Sequence, residues 1–317
     1  MIRRRQLKTL VIVNPNSANG RTGKEWPDIR AALLDSIGKF DQAATTGQGH
    51  ATELVRNGLR NGTERIISIG GDGTNNEVVN GFFEGLTPVN PRACLGFVPR
   101  GTGGDLRKTL GIGRDSASWQ AVLTAGKTRP ADLGLCEYID QAGKPARRLF
   151  VNITSFGIGG LVDAKVNQST KAFGGKASFM IGMLRALAVY RNREIRLTIK
   201  NEDGSIVMDE SMRINNVAVA NGQYFGGGMW VAPKAEIDDG LFDVIIMGDL
   251  SKLDTIFKAG RIYKGKHLEL PEVSSYRGSQ VEATSNDEVL IDMDGEQPGR
   301  LPISLKVLPG AIRLIAP

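Results

Sequence analysis

The run Gly70-Gly71-Asp72-Gly73-Thr74-Asn75-Asn76 sets glycines, one carboxylate and small hydrogen-bonding side chains between an apolar stretch, RIISIG, and a helix-like one. Glycines let backbone amides approach an anion closely, and the N-terminus of a following helix adds its positive dipole end, so the run implies a phosphate site. Asp72 cannot itself attract phosphate. In such a turn it serves either a Mg²⁺ or water-mediated contact, or the backbone as a cap. Two further runs are of the same kind: Asn14-Pro15-Asn16-Ser17 after LVIV, and Gly101-Thr102-Gly103-Gly104-Asp105 after CLGFVP. Any one of them alone would be a turn; three in one half of a chain raise the odds of a phosphate cradle. The familiar nucleotide signatures fail when tested literally. Arg21-Thr22-Gly23-Lys24 lacks the first glycine and the terminal hydroxyl of a P-loop, and the glycine spacing from Gly260 to Lys266 runs into His267. Gly157-Ile158-Gly159 meets Val162 where a dinucleotide fingerprint needs its last glycine.

These turns need elements to hold them. From Leu7 to about Arg129, short apolar runs alternate with helix-like stretches, the pattern of a parallel, doubly wound α/β sheet whose ligands bind at the carboxyl ends of strands. After Ala131 the pattern changes to apolar runs broken by Gly and Asn turns, as in NNVAVANGQYFGGG and DGLFDVIIMGDL, which predicts a mostly antiparallel β half. The expected fold class is therefore α/β plus all-β: an α/β nucleotide-binding domain over residues 1–131 and an antiparallel, β-sandwich-like domain over 132–302, with the active site in the cleft between them. Residues 303–317 are expected to pack back on the first domain or to close the second. One helix is expected in the second half, Ser178 to Tyr190, with Phe179, Met180, Met183, Leu184 and Leu187 on one face and Lys176, Arg185 and Arg191 nearby.

Composition narrows the classes. The 317 residues are 41% hydrophobic and 23% charged, which is globular and excludes a disordered or fibrous chain. The net charge of +6 suits nucleotide phosphates, nucleic acid or an anionic lipid surface. No aromatic-rich basic stripe supports nucleic acid. Cys94 and Cys136 sit among apolar neighbours without metal-ligand spacing and are expected to be buried, reduced thiols. The basic start MIRRR precedes only LVIV and no cleavage site, so a cytoplasmic first strand is expected. The apolar stretch from Phe179 to Val189 is short and carries Arg185, so membrane contact would be peripheral. His50 and His267 lack partners for a triad or metal site and are expected to be solvated.

Taken together, the three turns resemble those of the diacylglycerol kinase catalytic domain, the family that includes bacterial diacylglycerol kinases and sphingosine and ceramide kinases. The second half agrees in motif order: Asn221-Gly222, Phe225-Gly226-Gly227-Gly228, Ala232-Pro233, Asp238-Asp239-Gly240-Leu241 and Asp294-Gly295-Glu296. The resemblance implies ATP as co-substrate on Asn14, Pro15, Asn16, Ser17, Thr45, Gly70 to Asn76, Gly101 and Thr102. It implies Mg²⁺ on Asp239 with the backbone oxygens of Glu236 and Leu241, joined by Asp105 and Asp132 through waters. It also implies catalysis at the Asp294-Gly295-Glu296 turn, with Glu296 as base, Asp294 assisting and Asp72 contributing from the first domain. The acceptor would be a membrane lipid, diacylglycerol giving phosphatidic acid, reached by a cytoplasmic enzyme in peripheral contact with the membrane, and a homodimer is compatible with the sequence. One departure stands out: the family commonly has Asn where this chain has Gly104.

Two other readings compete. An NAD kinase-like enzyme shares the glycine-aspartate-glycine turn and the α/β plus β layout, and a non-catalytic nucleotide- or lipid-binding protein could keep the fold. The Asn221 to Gly228 and Asp294 to Glu296 motifs favour the lipid kinase over the first, and retention of Asp72, Asp105, Asp239, Asp294 and Glu296 favours it over the second.

Overall fold

The apolar runs of the first half become adjacent parallel strands. In the computed structural model, which describes residues 6–101, 103–168 and 185–317, β1 (Thr9–Val13), β2 (Asp41–Ala44), β3 (Arg65–Gly70) and β6 (Cys94–Pro99) lie in the order β2-β1-β3-β6. Helices α1 (Arg21–Ile37), α2 (His50–Arg60), α3 (Asp72–Gly81), α4 (Asp105–Thr109) and α5 (Ser116–Ala125) connect and cover them, and β4 (Phe83–Glu84) and β5 (Thr87–Pro88) form a small hairpin. Val11, Ile12, Ile66, Ile67, Ile69, Leu95 and Val98 are inaccessible to solvent or nearly so. Burial on both faces explains why these strands read as continuous apolar runs rather than alternating ones.

The chain divides into two compact units, residues 1–131 with 310–317, and residues 132–309. The first unit is thus completed by downstream chain, because Arg313 and Leu314 pair in parallel with Cys94 and Leu95 of β6.

The second unit holds β7 (Thr128–Asp140), β8 (Pro145–Phe150), β9 (Ile153–Gly157), β10 (Arg193–Lys200), β11 (Ile206–Ile214), β12 (Asn216–Ala220), β13 (Tyr224–Phe225), β14 (Met229–Trp230), β15 (Phe242–Met247), β16 (Val273–Gly278), β17 (Gln280–Thr284), β18 (Ile291–Met293) and most of β19 (Gly299–Ile315). One antiparallel sheet runs β16-β15-β12-β9-β18, and a second layer runs β11-β10-β17-β19 with β7 joined to β19 and β8 to β7. Between the layers, Ile195, Leu197 and Ile199 of β10 meet Val217 and Val219 of β12 and Phe242, Val244 and Ile246 of β15. The intervening residues Ala218, Ala220, Ile245 and Met247 face the other way, into a smaller core with Val231, Ala232 and Leu250. Period-two alternation thus serves two apolar layers at once, giving a sandwich with a covered outer face.

Among the described residues this unit contains two α-helices besides the expected one: α6 (Ile158–Gln168) and α7 (Lys252–Ile262). The expected helix is helical over 185–189, with Ala186, Leu187 and Tyr190 buried, while Lys176 and Ser178 to Leu184 lie outside the described residues. The helical signal of α6 is masked by Gly159 and Gly160. A side chain on Gly160 would lie 2.4 Å from the Leu290 carbonyl, so the helix can meet β18's approach only with glycine there. His267 also departs from expectation. It is 1% exposed, its Nε2 lies 2.8 Å from the Val231 carbonyl, and burial lowers its pKa. Cys94 and Cys136 are buried free thiols, both raised in pKa chiefly by burial.

Candidate active site

The three glycine turns leave the carboxyl ends of β1, β3 and β6, which are neighbours, and the ladder continues into them. Asn14 donates its N–H to Ile69 at 2.9 Å, and Arg100 donates its N–H to Gly70 at 2.9 Å. The Asn14 amide reaches Thr74 Oγ1 at 2.9 Å while its carbonyl oxygen accepts from the Asn16 N–H at 3.0 Å, so one side chain ties the first turn to the second. Ser17 Oγ bonds to the Asn14 carbonyl at 2.9 Å and lies 2.6 Å from Thr22 Oγ1, and the Pro15 carbonyl accepts from Gly23 at 3.0 Å. The buried Thr45 donates its N–H to Val13 at 2.8 Å, just beyond β2.

The second and third turns touch backbone to backbone. A Cβ on Gly101 would stand 2.4 Å from the Gly71 Cα, and one on Gly71 would stand 3.0 Å from the Gly101 Cα. Gly101 therefore excludes any side chain, and Gly71 leaves room for one only if the third turn shifts by a few tenths of an ångström. Asp72 crosses the same junction: its Oδ2 accepts from the N–H groups of Gly104 at 2.9 Å and Asp105 at 3.3 Å, and its Oδ1 accepts from Leu106 at 3.4 Å. Of the two sequence readings for this carboxylate, the geometry displays the cap, here on a helix in the next turn. Asn75 accepts from Ser68 Oγ at 2.8 Å, Asn76 is fully buried, and Glu77 caps the start of α2 through Gly49 at 2.8 Å and Ala51 at 3.2 Å. Thr102 lies outside the described residues.

Around the third turn stand Arg100, paired with Glu25 at 2.9 Å, Lys108, paired with Asp105 at 3.2 Å, and Arg107 and Arg114, which donate to the carbonyls of Ile112 and Gly103. Burial lowers the pKa of Arg107, but an arginine so placed keeps its charge. The cavity behind the turns, lined by Gly70, Gly71, Asp72, Gly104 and Arg107, is only about 10 Å³, too small to hold a base. Gly104 occupies a left-handed conformation, φ 64° and ψ 47°. Asn is the other residue that enters this region readily, so the conformation at Gly104 is one an Asn could also adopt.

The acidic turn in the second unit is equally well defined. Met293 and Glu296 exchange backbone hydrogen bonds of 2.8 and 3.0 Å across Asp294 and Gly295, whose φ values are 49° and 85°. Two positive φ angles make this the tight I′ type of hairpin turn. Ala18, Asn19 and Asp294 are the non-glycine residues with positive φ among the described residues; the first two follow directly on the Asn14 to Ser17 turn and the third lies in the acidic turn. The two acids then part in role. Asp294 is 5% exposed and accepts from the N–H groups of Val151, Asn152 and Ile153, each at 3.1 Å. Glu296 is more open, its side chain 24% exposed, with Arg148 Nη1 at 2.7 Å from its Oε2. Sequence reasoning missed Arg148 because nothing distinguishes it from Arg147 beside it. It also missed the buried Asp292, which holds Gly295 N at 2.9 Å.

Asp239 lies on the loop before β15, with Asp132 accepting from Gly240 N at 2.7 Å and Asp239 accepting from Leu241 N at 3.0 Å. Among the described residues no group of three or more acidic, His or Cys side chains is arranged to hold a metal. The other oxygen of Asp239 is already paired with Arg277, which sequence reasoning did not single out and which also reaches Asp243 at 3.3 Å. Burial raises the Asp243 carboxyl above its usual range and Arg277 draws it back. The carboxylate expected to bind Mg²⁺ thus carries a protein cation, so a divalent ion on Asp239 and the Glu236 and Leu241 carbonyls would have to displace it. Arg277→Gln strips Asp243 of its counter-charge and is expected to cost about 1–3 kcal/mol, with millimolar Mg²⁺ restoring part of the loss. Calorimetric melting of wild type and variant with Mg²⁺ or chelator checks this; a wild type that melts earlier on chelation would show the metal, not Arg277, holding Asp239.

The tract Tyr224 to Trp230 forms the β13–β14 hairpin over three positive-φ glycines, with the Tyr224 and Trp230 rings stacked at 5.9 Å.

Comparison with known proteins bears on what these loops serve. The sequence model of the diacylglycerol kinase catalytic domain matches residues 8–136, and that of the YegS C-terminal NAD kinase beta sandwich-like domain matches residues 152–316. The chain belongs to the diacylglycerol kinase catalytic-domain family. It is a lipid kinase by that membership, built as an α/β domain followed by a β-sandwich-like one. Relatives of this kinase family include the diacylglycerol kinase of Bacillus subtilis (strain 168), 28% identical over 92% of this chain and 90% of the relative. The diacylglycerol kinase of Staphylococcus carnosus (strain TM300) is 26% identical over 97% of this chain and 94% of the relative. In fold, the chain matches the crystal structure of a diacylglycerol kinase from Bacillus anthracis str. Sterne, with a TM-score of 0.71 at 22% identity over 99% of this chain and 98% of the other. It also matches yeast NADH kinase complexed with NADH, with a TM-score of 0.52 at 13% identity over 99% of this chain and 84% of the other.

Proposed function

We propose that the protein transfers the γ-phosphoryl group of ATP to the hydroxyl of a membrane lipid, with diacylglycerol as acceptor and phosphatidic acid as product. The observation that carries the reading is the contrast within one turn: Asp294 is held by three backbone amides, whereas Glu296 stays partly open beside a single cation. A carboxylate so placed can accept the proton of an alcohol as its oxygen attacks phosphorus. The new O–P bond forms as the β–γ bridging bond breaks, the hydroxyl proton passes to Glu296, and ADP departs. In this reading Asn14 to Ser17, Thr45, Gly70 to Asn76, Gly101 and Thr102 hold the nucleotide, and Asp72 acts by fixing the second and third turns together. Mg²⁺ bound with the nucleotide supplies further charge neutralisation; a second cation at Asp239, with Asp105 and Asp132 contributing through water, fits only in competition with Arg277. The choice of diacylglycerol is supported by the relatives from B. subtilis and S. carnosus, which align with nearly the whole chain. The enzyme would work as a peripheral protein at the cytoplasmic membrane face.

The fold shared with yeast NADH kinase keeps an NAD kinase-like activity as the second reading. Both are tested by incubating the purified protein with Mg²⁺, γ-labelled ATP and a panel of diacylglycerol, ceramide, sphingoid base and phosphatidylglycerol, with NAD in parallel. Label is expected in diacylglycerol. Label in NAD would select the second reading, and nucleotide or lipid binding without transfer would select a non-catalytic protein.

A further inference from the structure

Helix α7 carries an apolar stripe that stays exposed among the described residues. Leu253, Ile256 and Phe257 stand at helical spacing and Tyr263 follows just beyond, with exposures of 67, 47, 81 and 48%, and no residue of the helix is buried. The start of the helix is tied to the 185–189 segment by Lys252 Nζ, which donates to the Ala188 carbonyl at 2.5 Å, and the neighbouring Val189 is 62% exposed. These five make up most of the large exposed apolar side chains among the described residues; Leu86, Ile206 and Val207 are the others. Single exposed apolar residues mean little, but a contiguous group marks a surface that meets something. The helix is deliberately built, since Ser251 caps it, accepting from Asp254 N at 3.1 Å and donating to its carboxylate at 2.6 Å. Its inner side is anchored by Ile262, which packs on the smaller core.

The charges around the stripe identify the occupant. Residues 252–266 hold five cations, Lys252, Lys258, Arg261, Lys264 and Lys266, against the single acid Asp254. Lys258 is engaged by Asp254 and Glu272, and Arg261 faces Glu269 at 3.9 Å. Lys264 and Lys266 are exposed and form no ion pair among the described residues. We infer that α7 is the membrane-docking element of this enzyme, laying Leu253, Ile256, Phe257 and Tyr263 into the interface of an anionic bilayer while the lysines meet lipid phosphates. An apolar stripe bordered by lysines is the composition of an interfacial helix, and among the described residues no helix is long and apolar enough to cross a membrane. The choice of a bilayer, rather than a protein, rests on the lipid-kinase reading.

The test is sedimentation of the full-length protein with phosphatidylcholine vesicles, with and without phosphatidylglycerol. Wild type is expected to bind the anionic vesicles, less so as salt rises. Phe257→Glu is expected to weaken binding about tenfold or more, and Lys264→Gln with Lys266→Gln to remove the preference for phosphatidylglycerol; melting should be unchanged, since these side chains are exposed. Transfer to vesicle-borne diacylglycerol should fall with binding in Phe257→Glu, while transfer to short-chain diacylglycerol dispersed in detergent is kept. Undiminished vesicle binding by Phe257→Glu, or no binding by wild type, overturns the docking role, as does a wild-type dimer that this variant dissociates. Vesicle binding through this face by a protein that phosphorylates no lipid would instead leave docking standing and remove the kinase reading.

Discussion

Glu296→Gln is expected to lower lipid phosphorylation by roughly 10²–10⁴-fold, the usual contribution of a positioned base, while the protein melts as wild type does. Glutamine preserves the shape of the side chain and can still meet Arg148, which lies 2.7 Å from the present carboxylate, but it cannot accept a proton at neutral pH. Nucleotide affinity should be unaffected, because the substitution touches no glycine turn. Asp294→Asn provides the contrast. It places an amide NH₂ among three converging backbone N–H groups, so its main effect should be on stability, about 1–3 kcal/mol. Steady-state kinetics and calorimetry on the two variants separate the roles. If Glu296→Gln retained wild-type turnover and Asp294→Asn lost it without destabilisation, the assignment of the base would reverse.

Gly101→Ala is expected to be nearly as damaging through a different cause. The added methyl would stand 2.4 Å from the Gly71 Cα, a backbone atom that cannot rotate away. The second and third turns must then separate, which breaks the Asp72 cap on Gly104 and Asp105. A loss of about 1–3 kcal/mol is expected from the overpacking, together with nucleotide binding too weak to measure at concentrations that saturate wild type. Gly260→Ala serves as the control, because nothing lies within 4 Å of its added carbon and alanine favours the helix it sits in. Titration calorimetry with a non-hydrolysable ATP analogue and thermal melting would read both. Wild-type affinity in Gly101→Ala would show that the contact between these turns is not needed for nucleotide binding.

How much of this was visible in the sequence depends on how far each feature reaches along the chain. The glycine turns were legible because a turn after an apolar run is a local event, as were the parallel strands and the change of pattern after Ala131. The partners were not. Asp72 finds its amides 32 to 34 residues downstream, and Glu296 finds Arg148 at a separation of 148. Residue type showed an acidic pair at 294 and 296, but only the backbone amides at 151 to 153 distinguish one acid from the other. Helix α7 escaped because its apolar stripe faces outward and its last turn was read against a glycine motif it does not match. His267 was misjudged for a related reason: one backbone carbonyl, at Val231, is enough to accommodate it in the interior.

The pairing of Arg313 and Leu314 with β6 has a consequence for biosynthesis. The strand that finishes the nucleotide-binding sheet is translated only after all of the sandwich, so a nascent chain exposes β6 as an unpaired edge until that late segment emerges. Ribosome stalling anywhere before it leaves a fragment whose first unit is incomplete and prone to aggregate, which ties completion of the parallel sheet to synthesis of the whole sandwich.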